Sequence, residues 1–302
     1  MKIHVAAYAA SAGLDETAEA ALYEGLAGLG IAGLEQPFFG TLHRRDEDWL
    51  IGQIRPDWSL AITTLPGTME RLGGDRRFGL ASADPDARAR AVDFVESARR
   101  AVEKLHRVLG RRAVRAVMVH SAPRLDGSRA KRSVDGFAEA LTDLRGRDWQ
   151  GASLLVEHCD AALPGLEPDK GFLRIEDDVL AVKLSSGAAP AAVAINWGRS
   201  ALETRSPEGP LEHLARASQA GLLGGLFFSG VTADHPDYGA WRDSHAPFST
   251  TVPESLLTPA AQAALAEAPD CPLLGLKLQT KPASLTVPQR LAVLQAGLDA
   301  LR

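Results

Sequence analysis

Residues 84–121 read DPDARARAVDFVESARRAVEKLHRVLGRRAVRAVMVHS, a complete helix–strand unit. Asp84 offers a side-chain oxygen to cap free amides and Pro85 suits the first helical position. Apolar residues then recur at helical spacing as far as Gly110, a glycine placed where a helix should stop. The following run, residues 113–119, is apolar apart from Arg115, as expected of a strand buried on both faces. It delivers His120 and Ser121 at its C-terminal end.

Outward from this unit the same alternation continues in both directions. Strands are predicted at Ile3–Tyr8, Ile31–Glu35, Ser59–Thr63, Val114–His120, Ser153–Glu157, Ala192–Asn196, Gly224–Ser229 and Leu273–Gln279. Helical patterns lie between them. DETAEAALYEGLAGLG (15–30) opens on acidic residues and stops at glycine, and TVPQRLAVLQAGLDAL (286–301) supplies a last amphipathic helix. Eight strands, each followed by a helix, make a single (β/α)8 barrel across residues 1–302, with no linker to divide it. A doubly wound open sheet is the alternative, because strand order is not written in one sequence.

Composition narrows the function classes. The 302 residues are 45% hydrophobic and 24% charged, which suits a globular protein rather than a disordered or fibrous one. A net charge of −5 argues against nucleic acid or an anionic membrane as partner. The longest apolar stretch, Gly221 to Val231, is about half of what a membrane helix needs. The N-terminal MKIHVAAYAASAG reads as a first strand rather than a signal peptide, since its apolar part is short and His4 interrupts it. Two cysteines, Cys159 and Cys271, make no disulfide framework, so a reducing cytoplasm is expected. Oligomeric state is open, a homo-oligomer included.

Familiar motifs fail on context. Gly28, Gly30 and Gly33 spell G-x-G-x-x-G, but they close a helix and enter a strand, the reverse of a dinucleotide site. There is no P-loop, nucleophile elbow, C-x-x-C or H-E-x-x-H. Residues 230–252 form a long connection carrying Trp241, Asp243, His235 and His245, and read as a lid.

In an α/β barrel the chemistry sits at the C-terminal strand ends. Those ends offer Glu35-Gln36, Thr63-Thr64, His120-Ser121, Glu157-His158, Asn196-Trp197 with Arg199, Ser229, and Lys277 with Gln279. In the last strand Leu274, Leu276 and Leu278 alternate with Gly275, Lys277 and Gln279, which points Lys277 and Gln279 inward. A buried lysine needs an anion, and Glu157 is the expected counter-charge; a purely structural ion pair is the alternative. Asn196 is the chain's single asparagine, suited either to a substrate hydroxyl or to capping the next helix. Arg199 suits an anion, but a helix pair with Glu203 is slightly favoured. His120 is the preferred acid/base group, and His158 should point away from Glu157.

The runs MKIHVAAYAAS, LEQPFFG (34–40), LLVEHCD (154–160), INWGRS (195–200) and LFFSG (226–230) resemble an uncharacterised domain-of-unknown-function branch of the xylose-isomerase-like TIM-barrel superfamily. The resemblance to that branch covers essentially the whole chain. It implies a (β/α)8 fold, a small carbohydrate-like ligand, and a divalent metal held at the ends of strands 5 to 8. Carried over by position, Glu157 is present. Asn196 stands for an acid, Ser229 for a histidine, and Lys277 or Gln279 for a glutamate. That donor set leaves no metal and no cofactor expected.

The leading expectation is a metal-independent sugar isomerase or epimerase. Glu157 would be its base, His120 its acid/base partner, and Lys277 with Asn196 the stabilisers of an enolate oxygen. Glu35, Trp197, Arg199, Ser229, Gln279, Trp241 and His245 are the expected substrate-binding residues. Three alternatives stay open: a Schiff-base lyase using Lys277, a glycosidase using Glu35 and Glu157, and a carbohydrate-binding barrel without catalysis.

Overall fold

The computed structural model describes residues 2–124, 133–268 and 270–302. Eight strands are found: β1 (His4–Val5), β2 (Gly33–Pro37), β3 (Ser59–Thr63), β4 (Val114–Val119), β5 (Ser153–Glu157), β6 (Ala191–Asn196), β7 (Leu223–Phe228) and β8 (Leu274–Leu276). All pair in parallel with their sequence neighbours, and β1 also pairs with β8, so the sheet closes into a barrel. The open-sheet alternative falls with that closure.

Helices α1 (Ala7–Ala10), α2 (Glu16–Leu26), α3 (Glu47–Gln53), α4 (Leu65–Gly74), α5 (Pro85–Leu109) and α6 (Val134–Arg145) serve the first half of the chain. The second half carries α7 (Ile175–Leu184), α8 (Trp197–Thr204), α9 (Gly209–Gln219), α10 (Ala260–Glu267) and α11 (Val287–Asp299). Helix α5 starts and stops where its sequence directs: Asp84 accepts from the amides of Asp86 and Ala87, and Gly110 adopts a left-handed φ of 65°. Gly30 ends the turn after α2 in the same way, at φ 65°, and Gly33 begins β2, so this glycine run is a helix stop.

Three strands differ from expectation by two residues or more at an end. The first stops at Val5, and the run AYAA turns into α1. Alanine favours helix over strand, and the turn swings Tyr8 inward. β2 begins two residues late, at Gly33, and β8 shrinks to three residues, although the Lys277 amide still donates to the Phe228 carbonyl at 2.9 Å.

Side-chain alternation divides the core into two layers. Most apolar residues pack between strands and helices. The barrel interior is a smaller cluster of Ala61, Ala116, Met118, Leu155, Ala194, Phe227 and Leu273. Phe227 fills its centre, and its register partner on β8 is Gly275. A Cβ at Gly275 would lie 2.2 Å from the Phe227 ring, so only glycine fits opposite that side chain. This packed floor makes the barrel solid below and leaves the strand ends above it for polar groups.

Candidate active site

The interior floor predicts the site by parity. Two residues beyond Met118, Leu155, Ala194 and Phe227 come His120, Glu157, Asn196 and Ser229, which therefore point into the barrel mouth. All four are buried. Glu157 is the hub. His120 Nε2 lies 2.8 Å from its Oε2, and Asn196 Nδ2 donates to its Oε1 at 3.0 Å. Arg199 Nη1 approaches the same Oε1 at 2.7 Å, as an ion pair off the N–H line rather than a well-formed hydrogen bond. Burial opposes ionisation of Glu157, but the charges of Arg199 and Lys277 outweigh it and hold the carboxyl well below its usual range. Burial also pushes the His120 imidazole down, against its bond to Glu157, which favours the neutral ring.

Of its two expected roles, Asn196 fills that of the helix cap. Its Oδ1 accepts from the Arg199 amide at 3.4 Å, capping α8, and from Ser229 Oγ at 2.7 Å. One amide thus ties β6, β7 and α8 to the Glu157 carboxylate.

A second carboxylate stands on β2. Lys277 Nζ lies 2.9 Å from Glu35 Oε1, and Tyr8 Oη donates to the same oxygen at 2.9 Å. The counter-charge of Lys277 is therefore Glu35 rather than Glu157, because the closed barrel sets β8 beside β1 and brings β2 within reach. Glu35 Oε2 is buried and makes no hydrogen bond to the described residues. Burial raises the Glu35 carboxyl above its usual range, with the Lys277 charge pulling the other way and the Glu157 charge adding to the rise. Two carboxylates at one mouth thus differ in proton affinity, a pinned anion and a group readier to accept a proton.

The connection after β7 closes over them. It is ordered by antiparallel bridges, Gly230 with Ala246 and Thr232 with Ser255. Asp243 Oδ2 lies 3.1 Å from Arg199 Nε and 3.3 Å from Lys170 Nζ, and its Oδ1 lies 3.2 Å from His245 Nδ1. Burial disfavours the Asp243 charge, yet the neighbouring charges, Arg199 foremost and Lys170 and Lys277 with it, together outweigh burial and hold its carboxyl well below the ordinary range; burial drives His245 down to about 3. Trp241 and His245 flank this aspartate with φ of 51° each, a left-handed conformation costing about 1–3 kcal/mol per non-glycine residue. Outside Lys170 runs a groove of about 790 Å³, lined by Met69, Leu72, Arg76, Arg124, Leu166 and Lys170 among others.

Several expected site residues are placed elsewhere. Trp197 is fully buried in the strand–helix layer beside Phe228, and donates its Nε1 to the Leu256 carbonyl. As the first residue of α8 it faces away from the mouth. Trp241 packs under the Arg205 guanidinium, 4.5 Å from ring centroid to Cζ, and does not close on Glu157. Gln279 acts through its backbone, its amide donating to the His245 carbonyl at 2.8 Å. The favoured Arg199–Glu203 helix pair does not form, since Arg199 turns to Glu157 and Asp243 while Glu203 turns to His158. Tyr8 and Lys170 escaped the sequence reading; their only signals were a tyrosine at the first strand end and the scarcity of lysine. Cys159 is buried with its thiol pushed up by desolvation, a packing residue.

Behind Glu157, on the opposite face of β5, His158 heads a second buried cluster, as its parity requires. Its Nδ1 lies 2.9 Å from Asp178 Oδ2 and its Nε2 lies 3.1 Å from Glu203 Oε2. Glu203 also accepts from the Ala161 amide at 2.7 Å, and His213 Nδ1 meets Ser200 Oγ at 2.9 Å. Burial would lower His158, but the bonds to Asp178 and Glu203 outweigh it and raise the ring to about 10. His158, Glu203 and His213 bring one ligand atom each within 4.8 Å of one another, the set among the described residues with metal-donor chemistry. With His158 protonated between two carboxylates, the cluster acts as an ion network.

The positions that the sequence resemblance assigns to a divalent metal carry a different chemistry. They carry one carboxylate, one amide, one hydroxyl and one ammonium, in Glu157, Asn196, Ser229 and Lys277. Each carboxylate already faces a cation, Arg199 at Glu157 and Lys277 at Glu35. These residues do not fit a hard divalent ion, which needs several anionic oxygens or imidazoles.

The closed barrel and its ring of strand-end polar groups define a TIM barrel, a fold this chain shares with sugar epimerases and isomerases. Superposition agrees. L-ribulose 3-epimerase matches with a TM-score of 0.64 at 14% identity, covering 100% of this chain and 95% of that one. A putative xylose isomerase from Rhodospirillum rubrum matches at 0.65 and 13%, covering 100% and 98%. Endonuclease IV from Thermus thermophilus matches at 0.52 and 17%, covering 93% and 94%, so the likeness is one of fold. Within this class the chain belongs to the family defined by the domain of unknown function DUF4862, whose model matches residues 4–293. An uncharacterised protein of Salmonella typhimurium LT2 is 35% identical over 277 residues, 90% of this chain and 86% of the relative. Among the described residues no helix is long and apolar enough to cross a membrane.

Proposed function

We propose that this protein is a sugar isomerase- or epimerase-like enzyme that moves a proton at a carbon beside a carbonyl, without the superfamily's divalent ion. The reading rests on Glu35. Its Oε1 is held by Lys277 and Tyr8, while its buried Oε2 has no hydrogen bond from the described residues. A carboxylate whose proton affinity is raised, with one oxygen fixed and one unengaged, suits a general base. Pairs of groups whose surroundings drive their proton affinities apart are how one site runs acid and base steps together.

In this reading Glu35 takes the proton from carbon. Lys277 stands beside it to offset negative charge developing on the substrate oxygen. Glu157, clamped by Arg199, Asn196 and His120, acts as a fixed anion that orients the imidazole, and His120 presents a neutral ring for proton exchange with an oxygen. Isomerisation, epimerisation and β-elimination share this first abstraction. The Lys277 ammonium is ion-paired with Glu35, the opposite of the free amine that Schiff-base chemistry requires.

The test is exchange of substrate C–H for deuterium in D2O, followed by NMR over a panel of aldoses, ketoses and their oxidised derivatives. Exchange beside the carbonyl is expected in the wild type and is lost in Glu35→Gln. Undiminished exchange in that variant, or none with any sugar, would overturn the proposal.

A further inference from the structure

We infer that Arg199 and Lys170 form an anion site for the carboxylate of an acidic sugar, which Asp243 occupies from within when the 230–252 connection is closed. The inference deepens the isomerase reading, on which only its sugar component rests.

The Arg199 side chain is fully buried, yet it is only partly engaged. Its Nε meets Asp243 and its Nη1 meets Glu157, while Nη2 makes no hydrogen bond among the described residues. A buried guanidinium presents a planar fork of donors, and an unused arm of that fork calls for a second acceptor. Ser244 Oγ, in the same turn, is buried without a hydrogen bond as well, and His245 Nδ1 meets only Asp243 Oδ1, a 3.2 Å contact short of a formed hydrogen bond. Unsatisfied donors and acceptors thus gather around one carboxylate.

That carboxylate belongs to a segment held under tension. Asp243 lies between two left-handed residues, Trp241 and His245, neither of them a glycine. Its departure would relax the turn and leave Arg199 with one anion instead of two. Lys170 would keep Asp169, with which it also pairs at the edge of the groove. The vacated place lies between Arg199, inside, and Lys170, which lines the groove outside together with Arg76, Arg124, Glu167 and Asp169. A substrate carboxylate entering from the groove would replace the Asp243 carboxylate like for like, with the carbonyl end of the sugar lying toward Glu35 and Lys277.

The experiment is calorimetric titration of the full chain with D-glucuronate, D-glucose and D-glucose 6-phosphate, with thermal melting of each unliganded variant as the folding control. Wild type is expected to bind glucuronate at least tenfold more tightly than glucose. Asp243→Asn removes the competing anion and should tighten glucuronate by a further tenfold or so without helping glucose. Lys170→Gln, at the rim, should weaken glucuronate about tenfold. A merely structural Asp243 would behave in reverse, its loss weakening every ligand. Equal binding of acid and neutral sugar, a preference for the phosphate, or no binding of glucuronate overturns the inference. Deuterium exchange on neutral sugars alone would leave the isomerase reading standing without it. Glucuronate binding with no exchange on any sugar would do the opposite.

Discussion

Glu157 and His158 are neighbours in the chain and occupy opposite faces of β5, and the two clusters they head are built on different terms. Around His158 both ring nitrogens have carboxylate partners, supplied by Asp178 on α7 and Glu203 on α8. The partners stand on regular helices, so the network ties three elements together. Around Glu157 and Glu35 the partners include a strained connection, and both an acceptor and a donor are left over, Glu35 Oε2 and Arg199 Nη2, where the His158 cluster leaves the one carboxylate oxygen Asp178 Oδ1. Leftover donors and acceptors at the barrel mouth, rather than the number of charges, separate a candidate site from a structural clasp.

The sharpest break between the clusters should come from their first residues. Glu35→Gln is expected to lower C–H exchange by about 10²–10⁴-fold, the contribution of a general base. His158→Ala should instead cost about 3–5 kcal/mol of stability, because it strands two buried carboxylates. Urea denaturation measures that loss, and exchange by the folded fraction should change little. If His158→Ala abolishes exchange while leaving stability intact, the division is wrong.

The same cluster has a pH signature. His158 is raised from 6.5 to about 10 in the folded protein, so its contribution is complete below pH 6.5 and is lost as pH rises through 10. Glu203, lowered from 4.5 to about 2 against burial by its bond to His158, contributes above pH 4.5 and loses that contribution as pH falls through 2. The stability gap between wild type and His158→Ala should therefore shrink between pH 7 and pH 10. A gap that stays constant over that range would show that His158 is not held as the cation. The smallest effect is expected at Ser229→Ala, about 1 kcal/mol for one lost hydrogen bond to Asn196, with exchange only slightly slowed.

Much of this was legible in advance, and unevenly. The barrel followed from repeated units such as residues 84–121, because caps, glycine stops and apolar periodicity are local signals. Inward placement of His120, Glu157, Asn196, Ser229 and Lys277 followed from alternation, which any strand imposes. Pairing was another matter. Lys277 met Glu35 and Arg199 left Glu203, since partners 242 positions apart in sequence are set by barrel closure. Trp197 and Trp241 illustrate a second failure: an aromatic near a strand end looks like a ligand contact until its helix or turn fixes its direction. Tyr8 was hidden because its strand ended early.

The sequence by itself determined the eight alternating units, membership of a domain-of-unknown-function family and the polar residues at the strand ends, since periodicity and side-chain parity act over a few residues. Only the tertiary structure decided which charge meets which, and which atoms remain unmet. Closing the sheet brings β8 against β1, and the connection after β7 carries Asp243 onto Arg199. Those contacts join distant parts of the chain, and their electrostatics exist only once water has been removed from between them.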